Sequence, residues 1–254
     1  MSVSQIQEET IHKNRILLLS FTLGLMLLAC SVTGKTATPT PTVPPLATPT
    51  SKPISKSTSG PTPTLVITLP FFDDFSISKN GWPEGSYQSD YADTTYTIVS
   101  GKFQWTVKAN KGVFESAWPD LAPLSSFTLT VDAQQISGTP DQSGYAIIFV
   151  GSDGEQKYVF EISNNHYEVF YYDTTTDWQT IAPLTVSNGI LPGKVNHIKV
   201  VSADSHFTFY VNETNLFKFT DDRLPMGQPG LGAEVFNAGD TSVIEFDNLT
   251  VTNP

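Results

Sequence analysis

The chain reads as all-β, two antiparallel sheets packed face to face in a jelly-roll sandwich, and three observations predict it. From about Leu69 onward no apolar periodicity of helical spacing runs longer than about two turns. The same stretch breaks into short runs of aromatic and β-branched residues, punctuated by turn pairs such as Ser100-Gly101 and Asn164-Asn165. Several runs alternate strictly, as in Phe127 to Gln135, where Phe127, Leu129, Val131 and Ala133 interleave with Thr128, Thr130, Asp132 and Gln134. Roughly a dozen strands over about 185 residues are too many for one open sheet and suit two, with an open barrel as the alternative.

The front of the chain has a different character. A polar lead with Lys13 and Arg15 precedes Ile16 to Leu28, thirteen uncharged residues, the length of a signal-peptide apolar core and short for a membrane span. Leu27-Leu28-Ala29-Cys30-Ser31 follows, and it resembles the lipobox of bacterial lipoproteins. That resemblance implies a signal peptide over residues 1–29, acylation of Cys30, and a chain held to the membrane by lipid with its domain outside the cytoplasm. An uncleaved signal anchor is the other reading. Cys30 is the single cysteine of the 254-residue chain, so no intramolecular disulfide can form and the fold must rest on its core.

Residues 30–68 then turn to Thr, Pro, Ser and Lys, including ATPTPTVPPLATPT. Such composition cannot bury a core, so a disordered stalk of polyproline II character is expected, reaching on the order of 100 Å when extended. Residues 69–254 are left for the sandwich. They carry 23 acidic against 9 basic side chains, or −14, within a whole-chain charge of −11. Such a surface repels phosphate backbones and excludes nucleic acid as a partner.

Taking the domain in order, Tyr96 to Val99 and Lys102 to Val107 form a hairpin around Ser100-Gly101. Asn196 to Val211 is expected to turn at Ala203-Asp204, with Ile198, Val200, Phe207 and Phe209 on one face. The central stretch, Gly144 to Tyr172, reads as two consecutive hairpins. A two-residue turn at Asn164-Asn165 puts Ser163 opposite His166 and Glu161 opposite Glu168. One face then carries Tyr158, Phe160, Ile162, Tyr167, Val169 and Tyr171 toward the core. The other carries Lys157, Val159, Glu161, His166, Glu168, Phe170 and Tyr172. With Ser152-Asp153 at the preceding turn, Gly144, Ala146 and Ile148 join that second face, and these small residues would leave open space beside Glu161.

Two carboxylates directly opposite each other, with Cβ atoms ~5 Å apart, repel. Lys157, His166, a raised pKa, or a bound cation or ligand could offset that. Retaining glycosidases use two carboxyl groups ~5 to 5.5 Å apart, which makes Glu161 and Glu168 the candidates for catalysis. Both splaying into solvent is the plain alternative. Among the tryptophans, Trp178 follows the short polar loop TTTD beside this face and is the preferred ring for stacking on a sugar; Trp82 and Trp118 flank prolines near strand ends. The binding set is therefore Glu161, Glu168, His166, Tyr172 and Trp178. No Gly-x-Ser-x-Gly elbow, His-Glu-x-x-His or phosphate loop occurs, and His12, His166, His197 and His206 are scattered.

The order DDF, NGWP, FTLTVDAQ, GYAIIF, YVFEIS, NHIKVV, FTFYVNETNLF, PGLGAEVF and FDNLTV resembles the concanavalin A-like lectin/glucanase superfamily over about Phe71 to Val251. More narrowly it is similar to bacterial 3-keto-disaccharide hydrolase or family 16 glycoside hydrolase-like domains. The resemblance implies a concave sheet that binds glycan and a structural calcium ion where the first and last strands meet, at Asp73, Asp74 and Asp247, with Asp74 and Asp247 adjacent. Turn hydrogen bonding by Asp73 and Asp74 is the alternative role. The family-16 signature, Glu-x-Asp-x-x-Glu on one strand, is absent. The expectation is thus a surface lipoprotein that binds extracellular carbohydrate without catalysis. A glycoside hydrolase or an adhesive protein-binding module are the alternatives.

Overall fold

The computed structural model describes residues 69–152 and 154–254. The expected signal peptide (1–29), the expected stalk (30–68) with Cys30, and Asp153 lie outside the described residues. Every element described is a strand, and every pairing is antiparallel. One sheet runs β13 (Thr214–Thr220), β12 (His206–Val211), β11 (Asn196–Ala203), β6 (Phe127–Ser137), β15 (Thr241–Thr252), β4 (Lys102–Ala109), β3 (Ala92–Val99) and β2 (Gly85–Gln88), with β1 (Phe71–Asp73) also on β15. The other runs β10 (Gln179–Val186), β9 (His166–Asp173), β8 (Gln156–Ser163), β7 (Ser143–Val150), β14 (Gln228–Val235) and β5 (Val113–Ala117). These are the two sheets of the expected sandwich.

Alternation decides what lies between them. Phe127, Leu129, Val131 and Ala133 of β6 are buried, as are Phe103, Trp105 and Val107 of β4 and Ile244 and Phe246 of β15. From the smaller sheet, Tyr158, Phe160, Ile162, Tyr167, Val169 and Tyr171 meet them, and all belong to one apolar cluster. Phe160 stacks on Phe209 with ring centroids 4.5 Å apart, and Trp105 meets Tyr96 edge to face at 5.0 Å. Each such side chain withdrawn from water contributes roughly 1.5–3 kcal/mol. No disulfide is needed.

The turns follow from residues tolerant of positive φ. Val99 pairs with Lys102 across Ser100-Gly101, at φ 53° and 76°. Ser163 pairs with His166 across Asn164-Asn165, with Asn164 at φ 52°. Two expected turns are displaced. Ala203 pairs with His206, so the hairpin turns at Asp204-Ser205, both at positive φ, one residue later than Ala203-Asp204. Val150 pairs with Lys157, where a turn centred on Ser152-Asp153 would have paired it with Glu155. The longer loop is closed by the Gly151 N–H, which donates to the Gln156 carbonyl at 2.8 Å. Each displacement moves the pairing partner by two residues, so no side chain changes face.

Candidate functional site on the outer face of the smaller sheet

The site is built from the side of the six-stranded sheet that turns away from the core. Pairing across the strands sets its rows. Phe114, Glu234 and Gly144 stand side by side from β5 to β7, and Ser163 faces His166 between β8 and β9. The next row holds Ser116, Gly232, Ala146, Glu161 and Glu168. Further along come Gly230, Ile148, Val159 and Phe170, then Gln228, Val150, Lys157 and Tyr172. Glu161 and Glu168 are opposite, as the Asn164-Asn165 turn demands. Glu161 is 1% exposed, and Glu168 and Glu234 are buried too.

The small residues have occupants. A Cβ on Gly144 would lie 2.4 Å from Glu161 Oε1 and 2.9 Å from the Ile162 carbonyl; one on Gly232 would lie 2.6 Å from Phe114 Cζ. The space expected to be open beside Glu161 is therefore filled by the Glu161 carboxylate itself and by the Phe114 ring. Phe114, Ala146, Ile148, Val150 and Val159 form a second apolar cluster, against which Trp118, Phe170 and Trp178 pack. Trp178 lies 5.0 Å from Tyr172, 5.8 Å from Phe170 and 6.1 Å from Phe114. The Lys157 ammonium stands among these rings, 5.0 Å from Tyr172, 5.7 Å from Trp178 and 5.8 Å from Phe114. Such geometry offsets part of the cost of burying a cation.

Six buried side-chain nitrogen and oxygen atoms among the described residues lack a hydrogen-bond partner, and four lie here: both oxygens of Glu161, His166 Nδ1 and Trp178 Nε1. His166 Nδ1 is 3.4 Å from Asp141 Oδ1 without the alignment of a hydrogen bond. The five residues Glu161, Glu168, His166, Tyr172 and Trp178 are thus brought to one face. Glu234, Phe114 and Lys157 join them unforeseen as site residues. A signal for Glu234 existed: in PGLGAEVF the period of two puts it on the face of Gly230 and Gly232, but nothing local says that this strand lies beside β7.

Asp73, Asp74 and Asp247 do not converge. Asp73 is fully buried, and its oxygens accept from Phe75 N–H at 2.9 Å, Asn80 Nδ2 at 2.7 Å and Trp82 Nε1 at 3.0 Å. Asp74 accepts from the Ser76 hydroxyl and N–H, which holds its pKa below the usual carboxyl value. First and last strands do meet, but Asp73 faces Leu249, and Asp247 faces Asp132 across to β6. No group of three or more His, Cys, Asp and Glu able to hold a metal occurs among the described residues. Asp73 and Asp74 thus serve turn and indole hydrogen bonds, the alternative role read from the sequence. Trp82 is a core residue, packed on Phe75 and Phe103.

No family model and no curated protein matches the chain. Solved structures do. The carbohydrate binding module CBM66 from Bacillus subtilis is 18% identical, with a TM-score of 0.52 over 68% of this chain and 96% of that one. The likeness is one of fold, a two-sheet antiparallel sandwich as the sequence resemblance implied. The catalytic domain of an endo-1,3-beta-glucanase (laminarinase) from Thermotoga petrophila is 10% identical, at TM-score 0.52 over 72% and 96% of the two chains. SCLam, a non-specific endo-beta-1,3(4)-glucanase from family GH16, is 13% identical, at 0.51 over 71% and 89%. In this domain the two facing carboxylates of the outer face come from neighbouring strands, Glu161 from β8 and Glu168 from β9.

Proposed function

We propose that the domain binds extracellular carbohydrate on the outer face of the six-stranded sheet, without catalysis, and that Cys30 carries a lipid anchor for it. The observation that carries the binding reading is the gathering of four orphaned polar atoms at Glu161, His166 and Trp178. An unpaired buried polar atom costs roughly 1–3 kcal/mol, and a polyhydroxyl ligand supplies both donors and acceptors. The aromatic surround of Trp178, Tyr172 and Phe114 suits the apolar faces of sugar rings. Similarity of fold to a carbohydrate binding module and to glucanases supports the same class of ligand.

The non-catalytic reading is supported by the absence of a Glu-x-Asp-x-x-Glu run. A glycan array with the full chain, run beside Glu161→Gln and Glu168→Gln, tests the reading. Binding to a defined set of glycans, weakened in both variants, is the expected result. Binding indifferent to both substitutions removes this face as the site, and release of shorter products from a bound glycan replaces the binding module with a hydrolase.

A further inference from the structure

The outer face of the smaller sheet is covered, and two aromatic side chains from opposite sides of the sheet meet across it. Phe114 comes from β5, and a Cβ on Gly232 would lie 2.6 Å from its Cζ. Gly232 pairs with Ala146, and Ala146 pairs with Glu161. Trp178 comes from the loop between β9 and β10 and meets the Phe114 ring edge to face, with centroids 6.1 Å apart. Around them Ala146, Ile148, Val159 and Glu161 are each 1% exposed. A sugar ring therefore reaches Glu161 only after part of this cover moves.

The two rings are not held alike. Phe114 sits within a strand, opposite Glu234 of β14. Trp178 follows a loop whose hydrogen bonds hold the residues before it: the Thr175 N–H donates to Asp173 Oδ1 and the Asp177 N–H to the Asp173 carbonyl, both at 2.7 Å. Asp177, between that anchored turn and the indole, lies in the left-handed region at φ 63°, a place where a small backbone change re-aims the next side chain. The indole rests on Tyr172, Phe170 and Phe114, while its Nε1 is buried with no hydrogen-bond partner among the described residues. Ring contacts hold the indole down and the orphaned N–H works against them, and the two effects are of the same order. Both Glu161 oxygens, also without a partner, weigh on the side of opening. Closed and open positions thus lie close in free energy, with the open one on the order of 1% populated or more.

We propose that Trp178 is a gate, which closes on Phe114 in the free protein and swings at Asp177 to admit a sugar ring to Glu161. In the open position the indole stacks on the apolar face of the ring, and ring hydroxyls donate to the Glu161 carboxylate. Such hydroxyl-to-carboxylate bonds are charge-assisted, so a neutral sugar suffices to replace the missing partners. This rests on the carbohydrate-binding reading and adds to it how the ligand enters. Because the ligand meets only the open form, its apparent affinity is set in part by how often the gate stands open.

The test labels the four tryptophans of the full chain with 5-fluorotryptophan, the Trp178 resonance being the one lost in Trp178→Phe. In the free protein that resonance should show microsecond-to-millisecond exchange by relaxation dispersion, while those of Trp82 and Trp105, buried in the core, stay flat. Phe114→Leu removes the ring on which the gate closes and should raise the open fraction about fivefold or more, with the two core resonances unmoved. A soluble oligosaccharide taken from the positives of the glycan array should collapse the exchange to a single shifted line. Because dispersion is read on the unaltered chain, it decides even where Phe114→Leu folds poorly. A flat Trp178 profile overturns the gate. An array-positive oligosaccharide that leaves the Trp178 resonance unmoved also overturns it, and leaves the carbohydrate reading standing. An array silent throughout overturns both together, whatever the resonance does.

Discussion

At Gly144 the backbone passes so close to Glu161 that no side chain fits, since an added Cβ would meet Oε1 at 2.4 Å and the Ile162 carbonyl at 2.9 Å. The carboxylate can swing aside, but the carbonyl belongs to the paired strand and cannot. Gly144→Ala should therefore cost about 1–3 kcal/mol, read as a lower midpoint in chemical denaturation, and should also reduce glycan binding by displacing Glu161. Asp73 is a second single-residue test. Replacing it with Ala leaves Trp82 Nε1, Asn80 Nδ2 and Phe75 N–H without their acceptor, and roughly 3 kcal/mol or more should be lost. With its oxygens already engaged, melting in calcium and in chelator should coincide; a rise with calcium would return the metal to this corner. Glu115 gives a pH dependence. Burial raises its carboxyl pKa, the Thr94 hydroxyl at 3.4 Å opposing the shift only in part. The folded state thus holds this proton more tightly than the unfolded chain. Its contribution to stability is best below the ordinary value of 4.5 and declines as pH rises from there through the raised folded value. Glu115→Gln should flatten that decline in a melting-temperature profile.

The hairpin of β8 and β9 shows how much an element's turn decides. Two residues at Asn164-Asn165 place Glu161 opposite Glu168 and the tyrosines in the core. Inserting one glycine after Asn165 would shift that pairing and ask Tyr167, Val169 and Tyr171 to exchange faces with Glu168 and Phe170. The expected outcome is loss of the cooperative unfolding transition, not a modest shift in it. This register was legible from the sequence because Glu161, Ser163, His166 and Glu168 alternate with Phe160, Ile162, Tyr167 and Val169 on either side of the turn. The turn at Asp204-Ser205 and the loop between β7 and β8 were legible only to within a residue. Several neighbouring residues there tolerate a turn, and backbone hydrogen bonding selects among them. Faces survived both displacements because a shift of two leaves the period of two intact.

For the whole molecule, the acidic domain and the N-terminal apolar run make the remaining prediction. Cys30→Ala should release the protein from membranes or block its processing, and palmitate labelling of the wild type should vanish with it; unchanged labelling and membrane retention would count against lipid anchoring. Within the domain, period-two alternation by itself determined the all-β class, the two faces of β6, β8, β9, β11 and β12, and the meeting of Glu161, His166, Glu168 and Tyr172 on one face. These are local consequences of the pleat, and neighbours in sequence suffice to read them. Only the tertiary structure decided that β14 lies beside β7 and β5 beside β14, which brings Glu234 and Phe114 to the face of Glu161 from distant parts of the chain. It likewise decided that Asp73 serves Trp82 instead of meeting Asp247. Strand order depends on how both sheets bury their apolar faces at once, a property of the assembled core that no single stretch of chain encodes.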